Sequence, residues 1–466
     1  MRTRWSLCLV CLSLLALACG GGEGVADVPA DGGSDAATDA SETEQRTGCD
    51  SGHYRGHYLL PGPAEEGFDG ELERLATQVE RQFRAFNASA MDLNTDVAVS
   101  TANDADRELI RSYLRDHEGW DFEAFAGKAA HEVISSQEKV AGLYAGVGAA
   151  ADAYRYMVLR DQGYPCPDVA FAREVVLRTL EALHTAVAIT GAPGVIVRGL
   201  ARKDLPGNGQ AETMPLFDEQ GDPLPQPKSN GTWREDFSPG GQYPNLIWED
   251  SVSRDQYIGW VAAFGAMWEA IRDDDTIPQD LKDRMRADAL AVAQQLMVVR
   301  ASGYDLEIPD ADGRTTLHGW MNEHNLDGKV YVDTLRNGFH AIMALGAVAT
   351  FVYVTDDPAL RAWLDDELIG TRRLHEIVRD EVFRFVDAGV ISNYSNYNMA
   401  FTGAWLAMRY LEDPVARARV SEGLEEGLYH RPGKDRQPTE LGYSLYDFVY
   451  AGGVAGQRAD GTMSQE

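Results

Sequence analysis

Apolar residues recur at three- and four-residue steps along most of the chain from Gly67 onward, the spacing that gathers them on one face of an α-helix. Leu72, Leu75, Ala76, Val79, Phe83 and Phe86 make the first such stripe. Ser135 with Glu138 forms a capping-box pattern ahead of a second, Val140, Leu143, Tyr144, Val147, Ala151 and Tyr154. Pro165 and Pro167 stop that helix, and a partner is predicted over about 168–190. Further pairs are predicted at 253–272 with 278–300, 336–355 with 358–386, and 395–411 with 413–428. Pro278, Pro358 and Pro414 stand just inside the second member of each pair, where a missing N–H costs nothing.

No alternation of the βαβ kind interrupts this pattern. Residues 191–250 are rich in Gly, Pro, Asn and Asp and far exceed an ordinary connection, so they read as a long irregular loop. Residues 304–320 read as a small β-hairpin turning at Asp312-Gly313. The expected class is mainly α, an (α/α) toroid of helical hairpins with inner helices lining a central cavity. A plain α-solenoid is the competing layout, and no clean sequence period supports it. A single domain is expected over 49–466, with its last hairpin incomplete.

The first nineteen residues change the picture. Arg2 and Arg4 precede an apolar run too short to span a bilayer, the pattern of a secretory signal. It ends Ala16-Leu17-Ala18-Cys19, which resembles a bacterial lipobox and marks Cys19 for lipidation. Residues 20–48 hold no aromatic and bury too little to offset ordering entropy, so they are expected to be a disordered tether. The predicted location is the bacterial cell envelope, facing periplasm or exterior, with the membrane touched only through the lipid. Cys49 and Cys166 remain, and an exported chain with two leftover cysteines invites a disulfide between them. Lys and Arg total 42 against 73 Asp and Glu, a net charge of −31. That excludes nucleic acid as a partner, which needs a basic footprint.

Candidate chemistry concentrates in Trp248–Trp260, WEDSVSRDQYIGW. Ser253 with Gln256 reads as a capping box, Asp255 suits the positive helix end, and Tyr257, Trp260 and Phe264 continue as core. Trp248, Glu249 and Asp250 are expected on the loop just before. Carboxylates converging there are what glycoside hydrolysis requires, one to protonate the leaving oxygen and another to activate water or attack. A solvated acidic loop with a structural Arg–Asp pair is the plainer alternative.

Trp248, Asp250-Ser251 and Ser253-Arg254-Asp255-Gln256-Tyr257 resemble a helix-opening signature of the six-hairpin glycosidase-like superfamily, in its secreted bacterial branch. The run Asp310 to Trp320 is similar to the Asp-x-Asp-Gly-x-x-Thr turn of the same proteins, and Pro193 to Gly199 to their Pro-Gly … Arg-Gly stretch. The three pieces span about 135–410 in the right order. The resemblance implies an (α/α) toroid with a sugar-facing cleft and names no catalytic pair.

The reading is therefore an exported lipoprotein that acts on a poly- or oligosaccharide, with Glu249, Asp250 and Asp255 as the acid/base set. Arg198 and Arg254 are the charge partners; Trp248, Tyr257, Trp320 and Tyr397 are the sugar platforms, with His318 and Asn398 as polar contacts. A non-catalytic glycan-binding or scaffolding lipoprotein is the alternative. No cofactor and no metal are expected. His131-Glu132 and His375-Glu376 lack the second histidine of the zinc-protease motif, and His53 and His57 lack a third ligand.

Overall fold

The computed structural model describes residues 66–455 except 89–90, 100–103, 117–123, 126–127, 130–133, 162–163, 165, 225–230, 327, 384–388 and 390–391. The expected signal (1–19) and tether (20–48), with Cys19, Cys49, His53, His57, His131 and Glu132, lie outside the described residues.

The chain is mainly α, with twelve α-helices among the described residues. Helices α1 (Gly70–Gln82) and α2 (Asp104–Asp116) come first. Two long hairpins follow, α3 (Gly142–Asp161) with α4 (Cys166–Ala188), and α5 (Arg254–Ile271) with α6 (Gln279–Met297). Helix α7 (Gly338–Thr355) returns through α8 (Pro358–Ala362), whose last turns widen into a π-helix, and then α9 (Leu374–Glu381). Helix α10 (Tyr394–Tyr410) pairs with α11 (Pro414–Glu422), and α12 (Ser444–Tyr450) closes the set. Asp357 and Asp413 cap α8 and α11 by accepting two backbone N–H groups each, with the expected prolines in the first turn.

Helices α3, α5, α7 and α10 run side by side in one direction because glycines let their backbones touch. A Cβ on Gly146 would overlap the carbonyl of Gly259, and one on Gly142 would overlap the indole of Trp260. A Cβ on Gly346 would stand 2.5 Å from the carbonyl oxygen of Gly403, joining α7 to α10 in the same way. Every residue of α7 except Tyr353 is buried, which accounts for a helix apolar enough to cross a membrane yet enclosed by its neighbours. Gly265 of α5 lies against Thr350 of α7 and Tyr410 of α10, which draws the three helices together.

The N-terminal ends of these four helices share one end of the molecule, where the long connections gather. The connection expected to be irregular carries three strands. Strands β6 (Gly199–Arg202), β7 (Thr232–Arg234) and β8 (Leu246–Asp250) join β5 (Val140–Ala141) in an antiparallel sheet of order β5-β6-β8-β7. Its register sets Gly199 and Trp233 opposite Glu249, and Thr232 opposite Asp250. The hairpin of β9 (Glu307–Pro309) and β10 (Thr315–Trp320) forms as its Asp-Gly turn predicts.

Two expectations about helix starts are corrected. Ser135 and Glu138 do not cap a helix: Ser135 lies in β4 (Ile134–Gln137), pairs with β1 (Val97–Val99), and donates its hydroxyl to the carbonyl of Ala98 at 3.0 Å. The chain stays extended through β5 until Gly142, because sheet partners on β1 and β6 offer backbone bonds earlier than a helix does. The helix predicted over 358–386 is broken at Thr371–Arg373, where Arg373 takes a left-handed backbone.

Because α3 and α5 touch backbone to backbone, Gly146→Ala is expected to destabilise the protein by about 3 kcal/mol in urea unfolding. Gly452→Ala, with open space around it, should leave the midpoint unchanged.

Candidate functional site

Side chains alternate across a strand, and β8 therefore separates the acids that the sequence places together. Glu249 points toward Lys139, with which it pairs, and toward Nε of Arg198 at 3.5 Å. Asp250 points the other way. Its carboxylate is buried against Arg234 at 3.3 Å and accepts the backbone N–H of Ser251 at 2.8 Å and of Ala311 at 3.3 Å. Glu249 and Asp250 thus stand on a strand rather than a loop, and do not face one point.

Between β8 and α5 the chain turns at Ser251, which holds a left-handed φ of 65° while buried, a conformation that costs a non-glycine residue of order 1–2 kcal/mol. Ser253 does not close the expected capping box. Its hydroxyl donates to Asp255 and accepts from Arg198 at 2.7 Å, while Gln256 accepts the backbone N–H of Leu143 at 2.9 Å. The competing partners win because α3 begins close beside α5. Arg198 so links Glu249 to the Ser253–Asp255 pair, and Asp255 is the partly exposed acid of the group.

The hairpin brings a second acid to Asp250. Asp310 is buried at the turn, where its N–H donates to the carbonyl of Arg314 at 2.6 Å. Burial, then the neighbouring charges of Asp250 and Asp312, push its carboxyl up to about 8. Burial also raises Asp250, against the opposing pull of the Ser251 and Ala311 N–H groups and Arg234. Those donors favour charge on Asp250, while Asp310 keeps its proton at neutral pH. The sequence reading passed over Asp310 as a turn residue; its Asp-x-Asp-Gly setting beside a strand end was the available signal.

Beneath these acids a buried polar network fixes the mouth of α7. His340 bonds through Nδ1 to the carbonyl of Asn322 at 3.1 Å, so that nitrogen carries the hydrogen and Nε2 accepts from Arg254 at 3.0 Å. Burial, then the Arg254 charge, hold His340 neutral, well below its ordinary range. Arg372 binds Asp305 in bidentate fashion at 2.8 and 2.9 Å and also grips Glu323. Burial works to raise Glu323, but the Arg372 bonds and charge outweigh it and keep the carboxylate below its usual range.

The aromatic platforms expected from sequence are corrected: Trp248, Tyr257, Trp320 and Tyr397 are all buried. Trp248 donates its indole N–H to the carbonyl of Glu235 at 2.6 Å, and Tyr257 packs edge-on to Phe351. These rings follow helical and strand spacing into the core, where the hydrophobic effect on a large ring outweighs any role at the surface. His318 is partly exposed and stands edge-on to Trp320 at 6.3 Å. Tyr397 and Asn398 belong to a separate cluster at the start of α10. There Arg431 bonds to the Tyr397 hydroxyl and lies over Phe383, and Asn398 accepts from Tyr446 at 2.8 Å. Among the described residues no group of three or more His, Cys, Asp or Glu is arranged to hold a metal ion.

Two measurements check these assignments. Asp310 binds its proton more tightly folded than unfolded, so between pH 4 and 8 it makes stability fall as pH rises. Asp310→Asn should remove that slope and raise the melting temperature relative to wild type at pH 8, with little difference near pH 4. Arg372→Ala leaves Glu323 buried without its counter-charge and is expected to cost about 3–5 kcal/mol in chemical unfolding.

No known protein family, no curated protein and no solved structure matches the chain.

Proposed function

We propose that the chain is an exported, lipid-anchored protein of (α/α)-toroid type that hydrolyses a glycosidic bond at the mouth of α3, α5 and α7. The observation that carries this reading is the pair Asp250–Asp310, in which a buried carboxyl pushed up to about 8 keeps a proton at neutral pH. Such a group is a general acid in waiting. Asp310 donates its proton to the leaving oxygen as the bond to the anomeric carbon breaks. Water adds to the anomeric carbon and gives its proton to solvent, from which Asp310 takes one back. Arg198 bonds the Ser253 hydroxyl and stands 3.5 Å from Glu249. No cofactor enters this scheme, and the partners are a poly- or oligosaccharide and, through Cys19, a membrane.

A second reading, a glycan-binding lipoprotein without catalysis, is favoured by one fact: Glu249 and Asp250 are both buried and already paired with cations. Reducing-end release from a polysaccharide panel separates the two. Under the hydrolase reading, Asp310→Asn remains folded and loses about 100-fold or more in kcat/KM, and the wild-type profile falls as pH passes about 8. Undiminished hydrolysis by Asp310→Asn removes Asp310 from the mechanism. Glycan retention with no sugar released by wild type selects the binding reading.

A further inference from the structure

We propose that residues 214–224 form a lid over Asp310 that lifts to let a glycan reach the acid; this rests on the hydrolase reading above and says how its buried proton donor meets a substrate. Asp250 and Asp310 are 1% and 3% exposed, so no sugar oxygen reaches either carboxyl while the lid is down. Some segment on that side of the sheet has to move.

Strand parity says which segment lies there. Thr232 stands opposite Asp250 across β7 and β8, so Thr232, Arg234 and Asp250 share one face of the sheet, and Glu249 with Lys139 takes the other. Two pieces of chain come onto the Asp250 face. One is the turn between β9 and β10, through the N–H of Ala311; the other is 214–224. Arg234 lies between them, holding Asp250 and donating to the carbonyls of Met214 at 3.1 Å and Pro215 at 2.6 Å. At the far end of the segment Arg314, which grips Asp312, donates to the carbonyl of Leu224 at 2.9 Å. The segment thus runs from the arginine on Asp250 to the arginine on Asp312, the two acids whose charges Asp310 feels.

Its bonds let it move as a unit. The N–H of Leu224 joins the carbonyl of Leu216 at 3.0 Å, Phe217 is bridged to Pro223, and the Asp218 carboxylate accepts the N–H groups of Gln220 and Asp222 at 2.9 Å each. All of these are internal and survive a displacement. Ties to the body are few: the N–H of Met214 meets the carbonyl of Trp233 at the root, Leu216 is the only buried side chain in 214–224, and Phe217 is 42% exposed. A segment with one apolar anchor opens at far lower cost than the helices beneath it. The turn that carries Asp310 is the fixed partner, since it is held by β9 and β10 on both sides and by Asp250.

The test needs no sugar. Carbodiimide coupling of glycinamide to the full chain, read by peptide mass spectrometry, reports access to Asp310 at about pH 6, where a carboxyl pushed up to about 8 still holds its proton. Hydrogen exchange of the 214–224 amides reports the lid. Wild type is expected to couple slowly at Asp310. Leu216→Ala removes the anchor and is expected to speed both coupling at Asp310 and exchange of the Leu224 amide by about tenfold, with exchange across α5 unchanged. Should Leu216→Ala quicken α5 as well, Arg314→Ala, which breaks the clamp on the Leu224 carbonyl, makes the same comparison. Faster exchange of the Leu224 amide without faster coupling at Asp310 overturns the lid, as does no change in either. Fast coupling in wild type overturns it too, because the acid then needs no gate. Each of these leaves the hydrolase reading standing; that reading falls when wild type releases no sugar.

Discussion

The arrangement of the whole molecule depends on backbone contact between parallel helices. Where Gly146 meets Gly259 and Gly346 meets Gly403, any side chain would force the helices apart. Close approach in parallel has a second consequence, since it sets the N-terminal ends of α3, α5, α7 and α10 at the same end of the protein. Each end carries a partial positive charge and unpaired N–H groups, worth about 0.3–1 kcal/mol to a nearby anion. An acid-rich set of connecting segments therefore has a reason to collect there. Asn337 and Asn393 cap two of these helices, and Gln256 is diverted to stitch α3 to α5.

Gathering acids on a partly dry surface has a cost that the structure meets in two ways. Glu249, Asp250, Glu323 and Asp305 receive arginine or lysine partners. Asp310 is met differently, because Arg234 is already committed to Asp250 and Arg314 grips Asp312. A buried carboxyl in that position relieves the repulsion most cheaply by keeping its proton. The same constraint that packs the helices thus produces one neutral acid among charged ones, which is the asymmetry acid–base chemistry uses.

Most of the long helices were legible from apolar spacing, since a 3.6-residue repeat survives whatever packs on it, but α2 was not expected and the one over 358–386 is broken. The strands of 199–202, 232–234 and 246–250 were not, because each is too short for an alternation to stand out in a Gly- and Pro-rich stretch. That omission had a direct effect on the site. With Glu249 and Asp250 taken as loop residues they seemed to converge, whereas the pleat sends them to opposite faces. The capping boxes at Ser135 and Ser253 failed for a related reason: a serine satisfies whichever donor or acceptor lies nearest, and tertiary neighbours supplied better ones. Trp248, Tyr257, Trp320 and Tyr397, near acids in sequence, looked like platforms until burial assigned them to the core.

The opposite end of the helices shows why the mouth, and not the far rim, is the place for chemistry. There Glu269 binds Arg409 and Tyr410, Arg409 lies over the ring of Tyr154, Arg272 over Tyr353, and Arg160 ties Asp274 to α3. Burial raises Tyr154, Tyr353 and Tyr410 further above their ordinary range; burial works to raise Asp274 too, but hydrogen bonds from Tyr156, Thr276 and Arg160 outweigh it and hold the carboxylate below its own. None of those groups changes charge near neutrality, so the far rim behaves as a seal of fixed ion pairs and rings. At the mouth, by contrast, burial and the neighbouring acids push Asp310 up to about 8. A proton that can leave and return under working conditions is available at that end of the fold.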